Sequence, residues 1–363
     1  MKTFFGGLWV VLSLELRQRV RGTAWYVLIG IFVFLVALVT FLLWFALSNF
    51  GGNAGLGVFS TIIYFVLLLG TLVAPALSGN AINGDRDAGT LATTQVTLIT
   101  TGQLVLGKFL AAWISALAFL AASVPFLIFA MVAGAMRPDV IIVSIVVLAL
   151  ELGVIAAIGV GLSGILHRAL FSIVVTYLAV AALSIGSLIA FGLAGLVTQS
   201  ESHTTYIGVD QSTASGEYDP QTRLRTDVTC LPPQVNTNPI PRYDYWWGIL
   251  VMNPYVVLAD AVPTTFDEHG SPQDLFGSLK VGARSVQIPP DLDRIYDDCA
   301  QAKAGYPQES GQSPTGETIV ETTVPGWFIG LAIHLALAMA ALFVAWGRTR
   351  TPAGRLTKGS RIA

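Results

Sequence analysis

The sequence predicts an all-α polytopic membrane protein: six transmembrane helices, an amphipathic helix ahead of them, and an extracytoplasmic domain inserted between helices 5 and 6. Three observations lead there. Of 363 residues, 54% are hydrophobic and 12% charged, where a soluble protein carries about 25% charged residues. Six apolar runs reach the roughly 20 residues that a bilayer crossing needs. Lys and Arg are also shared unevenly between the connections, which sets orientation. The near-zero balance of 20 Lys+Arg against 22 Asp+Glu leaves no nucleic-acid footprint.

Residues 1–22 come first. Phe5, Leu8, Trp9, Leu12 and Leu16 fall at helical spacing, and Arg17, Arg19 and Arg21 follow. That pattern predicts an amphipathic helix lying in the headgroup region; the alternative is a frayed terminal tail. A signal peptide is not expected, because the short apolar run leads into LELRQRVR with no small-residue cleavage site.

Residues 23–198 carry five spans: Trp25–Leu47, Phe59–Leu77, Phe109–Val132, Val140–Leu166 and Leu170–Val197. The sixth, Trp327–Trp346, lies in 326–347, ahead of a basic tail, 348–363. Of the full charges, these runs contain only Glu151, in the fourth; the sixth contains His334. The N-terminal arm, the second and fourth connections and the tail together hold 12 bases, the first connection none, and the third only Arg137. Both termini are therefore expected in the cytoplasm.

The connection 199–325 then lies outside. From Thr198 to Gly326 there are 17 acids and 7 bases, and both cysteines, Cys230 and Cys299. An oxidising exterior predicts a disulfide between them; two buried free thiols are the alternative. The segment 245–262, YWWGILVMNPYVVLADAV, is apolar but broken by Asn253-Pro254 and closed by Asp260. It reads as an interfacial or partly re-entrant element, Tyr and Trp favouring the interface, or else as a buried core segment of the outer domain. Tyr306–Thr323, rich in Gly, Ser, Thr, Pro, Gln and Glu, reads as a flexible tether.

No catalytic motif survives inspection. Gly102–Lys108, GQLVLGK, fits the first seven positions of a phosphate-binding P-loop, but Phe109 stands where Ser or Thr would ligate magnesium. Its interior is bulky, and a membrane helix follows it. The four histidines form no metal-ligand spacing, and no GxSxG elbow occurs.

A charged knot, NGDRDAGTL at residues 83–91, interrupts the apolar pattern between the second and third spans. Asp85, Arg86 and Asp87 stand ahead of a segment, 90–100, able to form a short helix along the membrane surface. In water at that place they are suited to pair with a soluble partner; the alternative is that they anchor helix ends at the headgroups.

The run NGDRDAGTLATTQVTLITTGQLVLGK, leading directly into a span, resembles the membrane subunits of ABC-2 type transporters, the type V exporter-like permeases. Other features agree in order along the chain. The N-terminal amphipathic helix resembles the family's connecting helix, GLSGILHRALFSIVV its short turn between spans four and five, and NPYVVLADAVP a segment before the last span in actinobacterial members. The resemblance covers 1–198 and 245–363 except Pro263–Val324, and leaves out Glu201–Arg242. Asp85 and Asp87 depart from it, standing where many members have Glu.

The resemblance implies a permease in a bacterial plasma membrane that works with a second copy or a homologous permease. Its partner is a separate ABC ATPase in two copies, which holds the ATP and Mg; no cofactor belongs to this chain. Residues 83–97 are implied as the coupling helix, with Asp85, Arg86, Asp87, Gly89, Thr90 and Leu91 meeting the ATPase. The substrate implied is hydrophobic or amphipathic: a drug, lipid, peptide or glycolipid, moved outward.

An acid at mid-span costs on the order of 2.5–3.5 kcal/mol, so Glu151 is expected to face an interior. Its readings are a substrate or cation contact, or a structural hydrogen bond to a neighbouring helix such as a Ser or Thr of the fifth span. His334 reads as a packed polar residue rather than a ligand. Two other functions compete with the exporter. One is a non-transporting envelope sensor anchored by its spans; the other is an ion-coupled secondary transporter, which predicts ionisable residues in several spans and an internal repeat.

Overall fold

The computed structural model describes residues 2–49, 54–90, 99–210, 228–303 and 314–350. Six helices among them are long and apolar enough to cross a membrane: α2 (Thr23–Ser48), α3 (Ala54–Ser78), α5 (Thr101–Gly134), α6 (Pro138–Ile165), α7 (Ala169–Val197) and α13 (Trp327–Thr349). The chain is a multi-pass membrane protein, as its composition requires. The helix α1 (Lys2–Arg21) precedes them, and a single turn, α4 (Asn83–Asp87), follows α3.

Helix ends depart from the apolar runs for local reasons. Helix α5 begins at Thr101 rather than Phe109 because Thr100 and Gln103 close a capping box: Thr100 Oγ1 accepts from the Gln103 amide, and Gln103 Oε1 accepts from the Thr100 amide at 2.7 Å. Helix α3 begins at Ala54 rather than Phe59, and its small residues let it meet the end of α5 backbone to backbone. A Cβ added to Gly55 would stand 2.2 Å from the Gly134 nitrogen, so only glycine fits there. Helix α7 contains a π-turn, Ala182–Gly186, which no sequence signal announces.

The two interior spans are α3 and α6. Phe59, Ile62, Ile63 and Leu67 of α3 meet Leu148 and Leu152 of α6, with Phe32 and Val36 of α2 and Phe119 of α5. Helices α2 and α7 sit at the outside and expose Phe34, Phe41, Leu178 and Leu188. Helix α13 lies along α6.

The same core continues into the inserted region. After the short α8 (Trp247–Leu250), helix α9 (Pro254–Ala261) places Val257, Leu258 and Ala259 fully inside it, beside Phe276 of α10 (Leu275–Ser285). The segment 245–262 is thus a buried element shared with the spans, not one buried in the inserted region alone. Its aromatic start, Tyr245 and Trp246, is exposed.

Farther out is a three-stranded sheet in the order β2-β1-β3, made by Gln199–Ile207, Gln234–Pro241 and Asp293–Asp297. Strand β1 runs antiparallel to β2 and parallel to β3, so Thr205 faces Val235 on one side and Ile295 on the other. Cys230 and Cys299 are joined, with Cα atoms 5.5 Å apart; this ties the chain after the Val209↔Cys230 bridge to α11 (Asp298–Lys303). The tether expected at Tyr306–Thr323 is corrected in part. Residues 304–313 lie outside the described ones, but Gly316–Thr322 form α12, capped by Thr315 and burying Ile319.

A buried ionic hub holds this region to the last span. Asp260 accepts from Arg284 Nε at 2.6 Å and from the amides of Gly326 and Trp327 at 2.7 and 2.9 Å, so it caps the start of α13. Nearby, Lys280 Nζ donates to the Val262 carbonyl, and burial pulls its amine down to about 8.

Candidate functional site

Two polar assemblies lie apart along the spans, one at the end that carries α1 and the other around the middle of α6. At the end that carries α1, Lys108 of α5 is 2% exposed and its ammonium touches two carboxylates, Glu15 of α1 and Asp85 of α4, the latter at 2.7 Å. The amine that mimics a P-loop lysine in the sequence is therefore committed to protein carboxylates. Arg86 Nη1 donates to Asn83 Oδ1 and, at 3.0 Å, to the Leu166 carbonyl at the end of α6. Ser163 Oγ of α6 accepts the amides of Ile82 and Asn83 at 2.9 and 3.0 Å. From α1, Arg19 donates to Ser115 Oγ of α5 at 2.8 Å and to the Leu77 carbonyl of α3 at 3.2 Å.

This corrects the expectation that the charged knot stands in water. Asp85 and Arg86 are half-buried and engaged within the chain, while Asp87, Gly89 and Thr90 are exposed. Gly89 has φ +71°, a left-handed conformation that suits glycine as the chain leaves α4. Leu91 and the remainder of the expected coupling helix through residue 97 lie outside the described residues.

The second assembly joins Glu151 to His334, which the sequence singled out separately. Their partner is each other, not a Ser or Thr of the fifth span. His334 Nδ1 stands 2.9 and 3.0 Å from the two Glu151 oxygens, and its Nε2 stands 2.9 Å from the Met252 carbonyl. Both side chains are essentially inaccessible, at 0% and 1%. A carbonyl only accepts, so Nε2 carries hydrogen. At these distances one proton must also lie between Nδ1 and the carboxyl. The pair thus shares a single proton and is neutral as a whole, which suits its burial.

The residues after Met252 reach the other spans. Asn253 Nδ2 donates to the Ser184 carbonyl in the π-turn of α7 at 2.6 Å and to Ser187 Oγ at 2.9 Å. Tyr64 Oη of α3 donates to the Tyr255 carbonyl at 3.2 Å, and the Tyr255 hydroxyl lies 3.3 Å from Thr71 Oγ1. One turn, 252–255, is therefore bonded to α3, α7 and α13 directly, and to α6 through His334. Sequence reading found Asn253 as a helix break but had no signal for this junction, because each partner lies far away in the chain.

The turn walls a cavity of about 360 Å³ between α3 and α7. Leu68, Leu72, Val180 and Leu188 form its sides, and Asn253, Tyr255, Val256 and Leu279 close the end toward the inserted region. At the other end Tyr177 Oη donates to the Leu72 carbonyl at 2.6 Å. The polar groups in the wall are thus bonded to protein, and the face left to a ligand is apolar. Its size falls within the range of roughly 300–1,000 Å³ typical of small-molecule sites.

Six spans, an apolar cavity between two of them, and a polar cluster tying an amphipathic helix to the turn after α3 fit a membrane transport component. The chain matches the family model described as ABC-2 family transporter protein over residues 9–241 and belongs to that family. The match takes in residues 201–241, which the resemblance left out, and ends before the sixth span. No curated protein matches the chain.

Proposed function

We propose that this chain is the permease of an ATP-driven exporter, powered by a separate ABC ATPase that docks at the α1 and α4 end. The observation that carries this reading is Lys108. By binding Glu15 and Asp85 together, it makes α1, α4 and the start of α5 one body, so a push on the exposed Asp87–Thr90 edge reaches three elements at once. Membership of the family supports an ABC ATPase as partner and a dimer as the working form. The apolar wall of the cavity favours a hydrophobic or amphipathic substrate, released outward. ATP and Mg belong to the partner in this reading, and the coupling contacts fall to Asp87, Gly89, Thr90 and the following Leu91, with Asp85 and Arg86 holding the turn in shape.

The test is co-purification. The chain, expressed with candidate ABC ATPases of its own genome, retains one of them in detergent and in lipid discs and raises its ATP turnover; retention of none sinks the proposal. The accompanying orientation puts both termini in the cytoplasm. In intact cells a cysteine at Arg355 then resists a membrane-impermeant thiol reagent and one at Asn236 reacts, and the reverse pattern would invert the transport direction as well.

A further inference from the structure

We propose that Glu151 and His334 are positioning residues for a gate: they latch the 252–255 turn across the end of the apolar cavity that faces the inserted region. This rests on the transport reading only for its purpose; the latch itself is argued from geometry.

Three observations converge. First, beside its local backbone bonds, the turn carries hydrogen bonds to three helices distant in sequence, through His334, Asn253 and Tyr64. Second, one of its anchors is the π-turn of α7. There the helix leaves its regular hydrogen-bond pattern, and the Ser184 carbonyl accepts the Asn253 amide at 2.6 Å. π-turns within helices gather at functional sites. Third, Glu151 bonds His334 through the ring nitrogen opposite the one that meets the Met252 carbonyl. With Nδ1 bonded to Glu151, the ring is held in the orientation that aims the Nε2 hydrogen at the Met252 carbonyl. Glu151 acts on the gate through His334, as an outer partner orients a histidine in other buried sites.

A merely structural pair would give a different result from a latch, since structure would be served by any substitution that keeps the helices packed. Glu151→Gln keeps a donor for Nδ1 and leaves a neutral imidazole with hydrogen on Nε2, so the latch survives it. Glu151→Leu leaves Nδ1 without a partner, and His334→Phe removes the donor to Met252; both release the turn.

The experiment places a single reporter, Val180→Cys, in the cavity wall. The native cysteines are joined to each other and do not compete. The full chain in lipid discs is treated with a charged methanethiosulfonate, and the labelling rate is followed, with Asn236→Cys on the exposed strand as control. The expected result is a rise of about tenfold for Glu151→Leu and His334→Phe, the scale of one lost buried hydrogen bond. A rate near wild type is expected for Glu151→Gln, and no change at the control position. Unchanged rates in all three variants overturn the latch, and so does Glu151→Gln behaving as Glu151→Leu. If the leucine and phenylalanine variants do not fold, Asn253→Ala, which frees the same turn from α7, must give the rise instead; no rise there also overturns the proposal. None of these outcomes depends on the ATPase, so failure of the latch leaves the exporter reading standing, and the reverse.

Discussion

Replacing Lys108 with Met is expected to lower stability by about 2 kcal/mol and to remove productive coupling to the ATPase. The substitution keeps much of the aliphatic length but leaves Glu15 and Asp85 facing each other without their shared cation. Breaking a fully buried ion pair costs about 3–5 kcal/mol because the remaining charge is stranded. Here the carboxylates are 18% and 31% exposed, and water offsets part of that cost. Thermal unfolding in lipid discs measures the first effect, and ATPase retention and turnover measure the second. A triple variant, Lys108→Met with Glu15→Gln and Asp85→Asn, separates them. It removes the stranded charges and recovers stability, yet α1 and α4 are no longer held as one body, so coupling stays lost. Full coupling in the triple variant would show that the charge cluster serves folding alone. Replacing Asp85, Arg86 and Asp87 together is a poorer probe than the sequence suggests, because two of the three are structural. Asp87→Ala alone tests the exposed edge.

Removing the disulfide is the other large effect. With Cys230 and Cys299 separated by 69 residues, the chain-entropy account assigns the bond about 4 kcal/mol. The double serine variant is expected to lose that stability locally. Cys230 lies just ahead of β2 and Cys299 in α11 directly after β3, so the bond braces the sheet, whereas α9 and α10 are packed into the core of the spans. Hydrogen exchange should therefore accelerate across residues 199–207, 234–241 and 293–303 while 254–261 and 275–285 stay protected. Uniform acceleration through both groups would mean that the inserted region folds as one unit with the spans.

The sequence made the spans legible because apolar length alone decides them. The error lay at their starts, where polar or small residues belong to the helix for reasons of capping and close packing: Thr100 and Gln103 for α5, Gly55 for α3. The charged knot was visible as an anomaly. Its division into held and exposed charges was not, since Lys108 reads as a base of the connection just ahead of a span and Glu15 as one more residue of an amphipathic helix. Glu151 and His334 were each conspicuous as polar residues in greasy runs. Nothing in a one-dimensional pattern pairs residues 183 positions apart, and the backbone carbonyl that completes their site has no residue type to give it away. The π-turn is invisible for the same reason, being a matter of backbone hydrogen bonding among ordinary helix formers.

The cap on the last span bears on how the molecule comes to be built. Asp260 supplies acceptors for the first amides of α13, and Arg284 holds that carboxylate in place. Both residues reside in chain that emerges from the ribosome before α13 does. On the proposed orientation, the inserted region must cross the membrane and fold on the far side before the first amides of α13 have their cap, although α6 is already there for the rest of the helix to pack along. Until then the Glu151 carboxyl waits among the first five helices without its histidine, a polar group in an unfinished bundle. On that order of synthesis the cap is made before the helix that it caps.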